Sequence, residues 1–283
     1  MTRLSLHAAL ACLAAALLLA PAAVAAPAAV ERLYVLNCGE ARVDDISVWS
    51  PGVDVGQKRT FSNNCYLVRR GDDWLLWDTG VPDEWAKSKD GVAGSPGVRG
   101  FIHRPLIDQL AEIGVRPDDV TILALSHGHF DHTGNARKFT KARWLVQQVE
   151  YDAMLGPDAR RYRFMPELYD TLRGNPVEKL NGDHDVFGDG SVRILSTPGH
   201  TPGHQSLLVR LAKHGPVLLS GDVAHFAANM AFRRVPQFNV DKDASRTSMD
   251  RVEELAKTEG ATLWINHDLA QSATLAYAPK WFD

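Results

Sequence analysis

Beyond residue 30 the chain sets short apolar runs between polar turns. Arg32 to Asn37 and Asn64 to Arg70 alternate apolar with polar side chains, Gly71-Asp72-Asp73 supplies a turn, and Trp74 to Trp77 continues the pattern. Period-two alternation of this kind predicts a β-meander. Residues 79 to 103, rich in Gly, Pro and Asp, read as a long surface loop. Helical spacing follows: Leu106, Leu110 and Ile113 share one side of Arg104 to Ile113, with Gly114 as the cap. The same period is clearest over Asp243 to Thr258, where Met249, Val252, Leu255 and Ala256 make one apolar face.

Through this framework one device recurs, an apolar β-like run that ends in polar residues able to bind metal. Val120 to Leu125 leads into Ser126-His127-Gly128-His129-Phe130-Asp131-His132, and Val192 to Leu195 into Ser196-Thr197-Pro198-Gly199-His200. Val217 to Ser220 leads into Gly221-Asp222, Thr262 to Ile265 into Asn266-His267, and Leu75 to Trp77 into Asp78-Thr79-Gly80. Strands that end together deliver their terminal loops to one edge of a layered sheet, so ligands distant in sequence converge there. The expected fold class is therefore α/β. No linker, charge block or low-complexity tract divides residues 30 to 283, which predicts one domain.

The first residues stand apart. Arg3, the apolar stretch Leu4 to Ala20 and the small-residue site Ala23-Val24-Ala25 predict a signal peptide over residues 1–25, cleaved to leave a domain of residues 26–283. Pro21 ends the apolar run short of the roughly 20 residues a spanning helix needs. The expected location is periplasmic or secreted, with no stable membrane association after cleavage. Too short an apolar stretch precedes Cys12 for it to mark a lipoprotein. An oxidising compartment permits a bridge between Cys38 and Cys65, and two small buried thiols are the alternative. A content of 45% hydrophobic and 23% charged residues excludes disorder. The balance of 31 Lys+Arg against 34 Asp+Glu, a net charge of −3, leaves no basic surplus for a nucleic-acid partner.

The segment His127-x-His129-x-Asp131-His132 offers three imidazoles and a carboxylate within six positions. His127 and His129 share a side if the backbone stays extended, so both can reach one cation. Asp131 and His132 come after a turn and suit a second cation beside the first. A single histidine on an apolar strand is more often a satisfied core residue, but a cluster at strand ends reverses that reading.

These residues resemble the metallo-β-lactamase superfamily, in which such a segment, a later His, a later Asp and a final His build a two-metal site in an αββα sandwich. The resemblance covers nearly all of the chain beyond the leader. It implies that His127, His129 and His200 bind a first metal, that Asp131, His132 and His267 bind a second, and that Asp222 bridges them. True β-lactamases lack that bridging carboxylate, which argues against a β-lactam substrate. The run from Ser196 to Ser206 and Phe130 within the histidine-rich segment are similar to the N-acyl homoserine lactonases, although thioesterases of the glyoxalase II type share parts of both.

What the resemblance implies is a hydrolase using two divalent ions, zinc foremost and iron, cobalt or manganese as alternatives, in which a bridging hydroxide attacks a lactone or ester carbonyl. Asp131 would hold or pass the proton. His225 stands where those lactonases often place a tyrosine that touches the substrate carbonyl, so it is a candidate for substrate binding and catalysis. Phe130, the segment Trp85 to Phe101 and the segment Phe226 to Phe238 are candidates for an apolar groove. His204 reads as an outer partner of the ligands, and Asp78 either as an orienting carboxylate or as a turn cap. His103, His184 and His214 read as solvated, and Trp74, Trp77, Trp144 and Trp264 as core. The competing readings are a thioesterase or broad ester hydrolase on the same site and, in another class, an exported zinc-binding protein without turnover.

Overall fold

The computed structural model describes residues 30–283; the expected signal peptide lies outside the described residues. The first eight strands are β1 (Arg32–Val43), β2 (Arg59–Arg70), β3 (Asp73–Trp77), β4 (Val92–Ser95), β5 (Val98–Phe101), β6 (Ile122–Ala124), β7 (Arg143–Gln147) and β8 (Val177–Leu180). They form one sheet in the order β4-β5-β1-β2-β3-β6-β7-β8. The other five, β9 (His184–Asp185), β10 (Val192–Ser196), β11 (Gln205–Leu211), β12 (Gly215–Leu219) and β13 (Thr262–Trp264), form a second sheet in the order β13-β12-β11-β10-β9. The α-helices are α1 (Leu106–Glu112), α2 (Phe130–Thr133), α3 (Gln148–Leu155), α4 (Ala227–Phe232), α5 (Lys242–Glu259) and α6 (Leu269–Ser272).

Side-chain alternation assigns each strand residue to one of three apolar layers. Leu33, Val35, Tyr66, Val68, Leu75 and Trp77 of the first sheet meet Ile194, Leu207, Val209, Val217 and Leu219 of the second. On the outer face of the first sheet Leu36, Leu67, Leu76 and Leu123 pack with Leu106 and Leu110 of α1 and Met154 of α3. On the outer face of the second, Leu195, Leu208 and Leu218 pack with Met249 and Val252 of α5. This is the expected α/β architecture, two mixed sheets face to face with helices outside. In β2 both faces are covered, so Asn64 to Val68 are buried without interruption.

Direction of the strands decides where the polar tips go. β3 and β6 pair in parallel, as do β12 and β13, while β10 and β12 each lie antiparallel to β11 and so share a direction. The segments after them therefore emerge at one edge. α5 is capped at its start by Asp241, whose side chain accepts the amides of Asp243 and Ala244, and at its end by Gly260 with φ +63°. No helix among the described residues is long and apolar enough to cross a membrane.

Residues 79–103 are not a surface loop: they hold a short 3-10 helix at Asp83–Lys87 and the β4–β5 hairpin, which extends the first sheet through pairs such as Arg42 with Arg99. The glycines there serve close approach rather than looseness. A Cβ on Gly94 would stand 2.3 Å from the Phe130 ring and one on Gly100 2.8 Å from Trp85. Cys38 and Cys65 form a disulfide between neighbouring strands β1 and β2. Trp77, Trp144 and Trp264 are buried as expected, whereas Trp74 is only half-buried. His184 is half-buried in β9 rather than solvated, because β9 pairs it with Ile194.

Candidate metal centre

The chain leaves β6 through buried Ser126 and His127, stays extended at His129 (φ −72°, ψ 156°), and then turns into α2. The extended stretch keeps His127 and His129 on one side, and the helical turn carries Asp131 and His132 to the other. His127 Nε2 lies 2.8 Å from His129 Nδ1, and His200 Nε2 lies 3.0 Å from the same nitrogen. Asp222 stands between the two groups. Its Oδ2 is 3.3 Å from His200 Nε2 and 3.7 Å from His127 Nε2, while its Oδ1 is 3.0 Å from His267 Nε2 and 3.3 Å from His132 Nε2. Asp131 Oδ2 completes the second group, 3.7 Å from His267 Nε2 and 4.0 Å from His132 Nε2. All seven residues anticipated from sequence are thus brought together in the two groups expected, and His225 forms a third group with Asp222 and His267.

The opposite nitrogen of each imidazole is held by a protein oxygen. His129 Nε2 donates to the Tyr162 carbonyl at 3.0 Å, and His267 Nδ1 to the Ser62 carbonyl at 2.8 Å. His132 Nδ1 donates to Asp78 Oδ2 at 2.8 Å, His200 Nδ1 to Asn239 Oδ1 at 2.9 Å, and His127 Nδ1 meets the Ser126 hydroxyl at 3.0 Å. These partners fix the tautomers and leave bare lone pairs facing one another at the centre. Buried His132 Nε2 and Asp222 Oδ1 have no hydrogen-bond partner. Facing lone pairs and orphaned acceptors repel unless a cation stands among them, so the donor set fits a pair of divalent ions with nitrogen and oxygen ligands.

Electrostatics divide the ligands into two groups. Burial, reinforced by neighbouring imidazoles, holds His127 and His129 well below the ordinary histidine range, keeping them neutral as ligands must be. Burial opposes the charge of Asp222, but the surrounding imidazoles outweigh it and hold that carboxyl well below the usual range. His132 moves the other way: burial disfavours its cation, yet Asp222, Asp78 and Asp131 lift its pKa well above the usual value.

Behind the ligands His204 Nε2 accepts the Asp222 amide at 2.8 Å and its Nδ1 donates to the Thr197 carbonyl at 3.0 Å. The expected outer role of His204 is therefore a grip on the Asp222 backbone. Glu150, buried, accepts the amide of Gly128 at 2.9 Å and that of Gly203 at 2.8 Å, tying the His127–His129 segment to the His200 loop. Burial pushes its carboxyl up to about 7. His225 is buried with Nε2 3.1 Å from Asp222 Oδ2, its ring stacks on His267 at 5.2 Å, and its Nδ1 has no partner.

In front of the ligands an opening is lined by Ala41, Trp49, Phe61, Val98, Phe130 and Phe238, with Ser95, Arg163 and His225 among the polar members. Phe130 is pinned by Trp85, stacked at 5.4 Å. Sequence reading missed Trp49, Phe61, Arg163, Asn239 and Glu150. The first carboxylate after the apolar run of β7 was a signal for Glu150.

The chain belongs to the metallo-β-lactamase superfamily, whose model matches residues 59–263. N-acyl homoserine lactonases are among its relatives. The chain is 31% identical over 258 residues to an N-acyl homoserine lactonase of Bacillus thuringiensis, spanning 89% of this chain and 99% of the relative. It is 33% identical over 192 residues to the N-acyl homoserine lactonase AttM of Azorhizobium caulinodans, spanning 62% of this chain and 69% of the relative. Among solved structures, an N-acyl homoserine lactone hydrolase with the product N-hexanoyl-L-homoserine bound at its catalytic metal centre superposes with a TM-score of 0.78 at 28% identity, covering 90% of this chain and 100% of that one.

Proposed function

We propose that this protein is a metal-dependent hydrolase that opens the lactone ring of N-acyl homoserine lactones. The observation that carries the reading is Asp222, whose two oxygens face two separate imidazole groups beneath an aromatic-lined opening. His127, His129, His200 and Asp222 would hold one divalent ion, and Asp131, His132, His267 and Asp222 the other. Zinc is the proposed metal, though iron, cobalt and manganese accept the same donors. When bound, such a pair lowers the pKa of a shared water toward roughly 7 and polarises a carbonyl oxygen.

The remaining work falls to side chains. Asp131, which lines the pocket, takes the proton of the attacking water and returns it to the alcohol released from the ring. His225 offers an imidazole N–H to the substrate oxygen. Phe130, Trp49, Phe61 and Phe238 hold the acyl tail and keep bulk water from the carbonyl. The reaction consumes one water and releases a carboxylic acid. With residues 1–25 as a leader, residues 26–283 would work as an exported enzyme in the periplasm or outside the cell, where a diffusible lactone is met.

The test is to incubate the purified protein with N-hexanoyl-L-homoserine lactone and, in parallel, a glutathione thioester. The proposal expects a product heavier by one water that recloses to lactone in acid, formed much faster than thiol is released. Faster thioester cleavage would assign the site to a thioesterase instead.

A further inference from the structure

Arg163 is the one lysine or arginine lining the opening among the described residues. It sits at the end of the 3-10 turn Ala159–Tyr162 with φ +63°, a left-handed conformation that is costly for a side chain other than glycine. Its neighbours explain how that conformation is held: the Tyr162 carbonyl accepts from the ligand His129, and the buried Phe164 packs edge-on against the same imidazole at 5.5 Å. The backbone that orients His129 therefore also aims Arg163.

The guanidinium lies over the Phe238 ring, 4.5 Å from its centroid. Phe238 in turn packs edge-on against His200 at 5.7 Å and His129 at 6.4 Å, so the cation stands one ring removed from the ligands. Among the described residues no carboxylate pairs with it and no hydrogen bond uses its donors, in contrast to Arg160, which pairs with Glu167. A guanidinium carries five N–H donors in a fixed fork. Burying a carbonyl oxygen against walls such as Phe61, Val98 and Phe130 without a donor is costly.

Resting on the lactonase reading, we infer that Arg163 is a specificity-determining residue that donates hydrogen bonds to the acyl-side carbonyl oxygen of the substrate, a few bonds from the ester carbonyl at the metal site. The preferred substrates are then lactones bearing an amide-linked acyl chain rather than simple alkyl lactones. Arg163 binds and takes no part in the proton transfers.

Wild type, R163M and R163K are compared on N-hexanoyl-L-homoserine lactone and on γ-decalactone, which has an apolar tail and no amide. R163M keeps the stem over Phe238 without the donors. The expected result is a fall of about tenfold in the ratio of kcat/KM for the homoserine lactone over γ-decalactone, carried by KM, with part of it recovered in R163K. If wild type opens the homoserine lactone and the ratio does not change in R163M, Arg163 is not the determinant and the lactonase reading stands. If wild type opens γ-decalactone alone, or neither substrate, the lactonase reading fails and this one falls with it.

Discussion

The carboxylate of Asp78 accepts from Nδ1 of His132 at 2.8 Å, with both side chains buried. Asp78 also accepts the Ser126 amide at 2.6 Å and takes a left-handed φ of +61°, so the end of β3 is locked to the end of β6. Of the two readings open for Asp78 from sequence, the orienting carboxylate describes it. Removing an outer partner of a ligand imidazole costs about 10- to 100-fold in metal affinity or activity. D78A should lose cation on dialysis that wild type retains and drop in kcat/KM by that factor, read by elemental analysis and lactone kinetics.

His225 gives a second prediction. Its imidazole stands beside Asp222 and opens on the pocket. Removing one donor aimed at a developing oxyanion costs roughly 10²-fold in kcat. H225A should show a loss of that order in kcat with little change in KM; equal kinetics to wild type would remove His225 from the mechanism.

Acid sensitivity follows from His204. Burial holds its pKa down to about 3, from the ordinary 6.5. The unfolded chain takes up this proton near pH 6.5 while the fold refuses it until about pH 3. Stability from this site is therefore intact above 6.5 and is lost as pH falls through that window, by about 1.4 kcal/mol per pH unit. Urea unfolding of chelated protein between pH 6 and 4 should show a shallower loss for H204Q than for wild type by about that slope.

The Cys38–Cys65 bridge closes a separation of 27 residues. Cross-links of that span stabilise by about 3 kcal/mol through the unfolded chain. The C38A/C65A variant should unfold at lower urea than wild type, and a reductant should shift wild type toward it. Equal midpoints would show that the bridge is not formed in the folded protein.

The ligand set was legible because each ligand ends an apolar run and four of the seven crowd into one segment, which a strand ending at a sheet edge turns into a site. The groups that orient those ligands were not. The carbonyls of Ser62 and Tyr162 carry no residue signature, and Asn239 reaches His200 across a separation of 39 residues. The β4–β5 hairpin was hidden because its glycines resemble loop signals while serving the approach of Phe130 and Trp85. The disulfide stayed open because spacing alone does not say that Cys65 lies opposite Leu36, two residues from Cys38, on a neighbouring strand.

The proposed lactone opening requires two cations, one in each of the ligand groups that meet at Asp222. Chelated protein is titrated with zinc while acid release from N-hexanoyl-L-homoserine lactone is followed in a pH-stat. No turnover is expected without added cation, and saturation is expected at two equivalents per chain. Saturation at one equivalent, or turnover persisting in excess chelator, would contradict it.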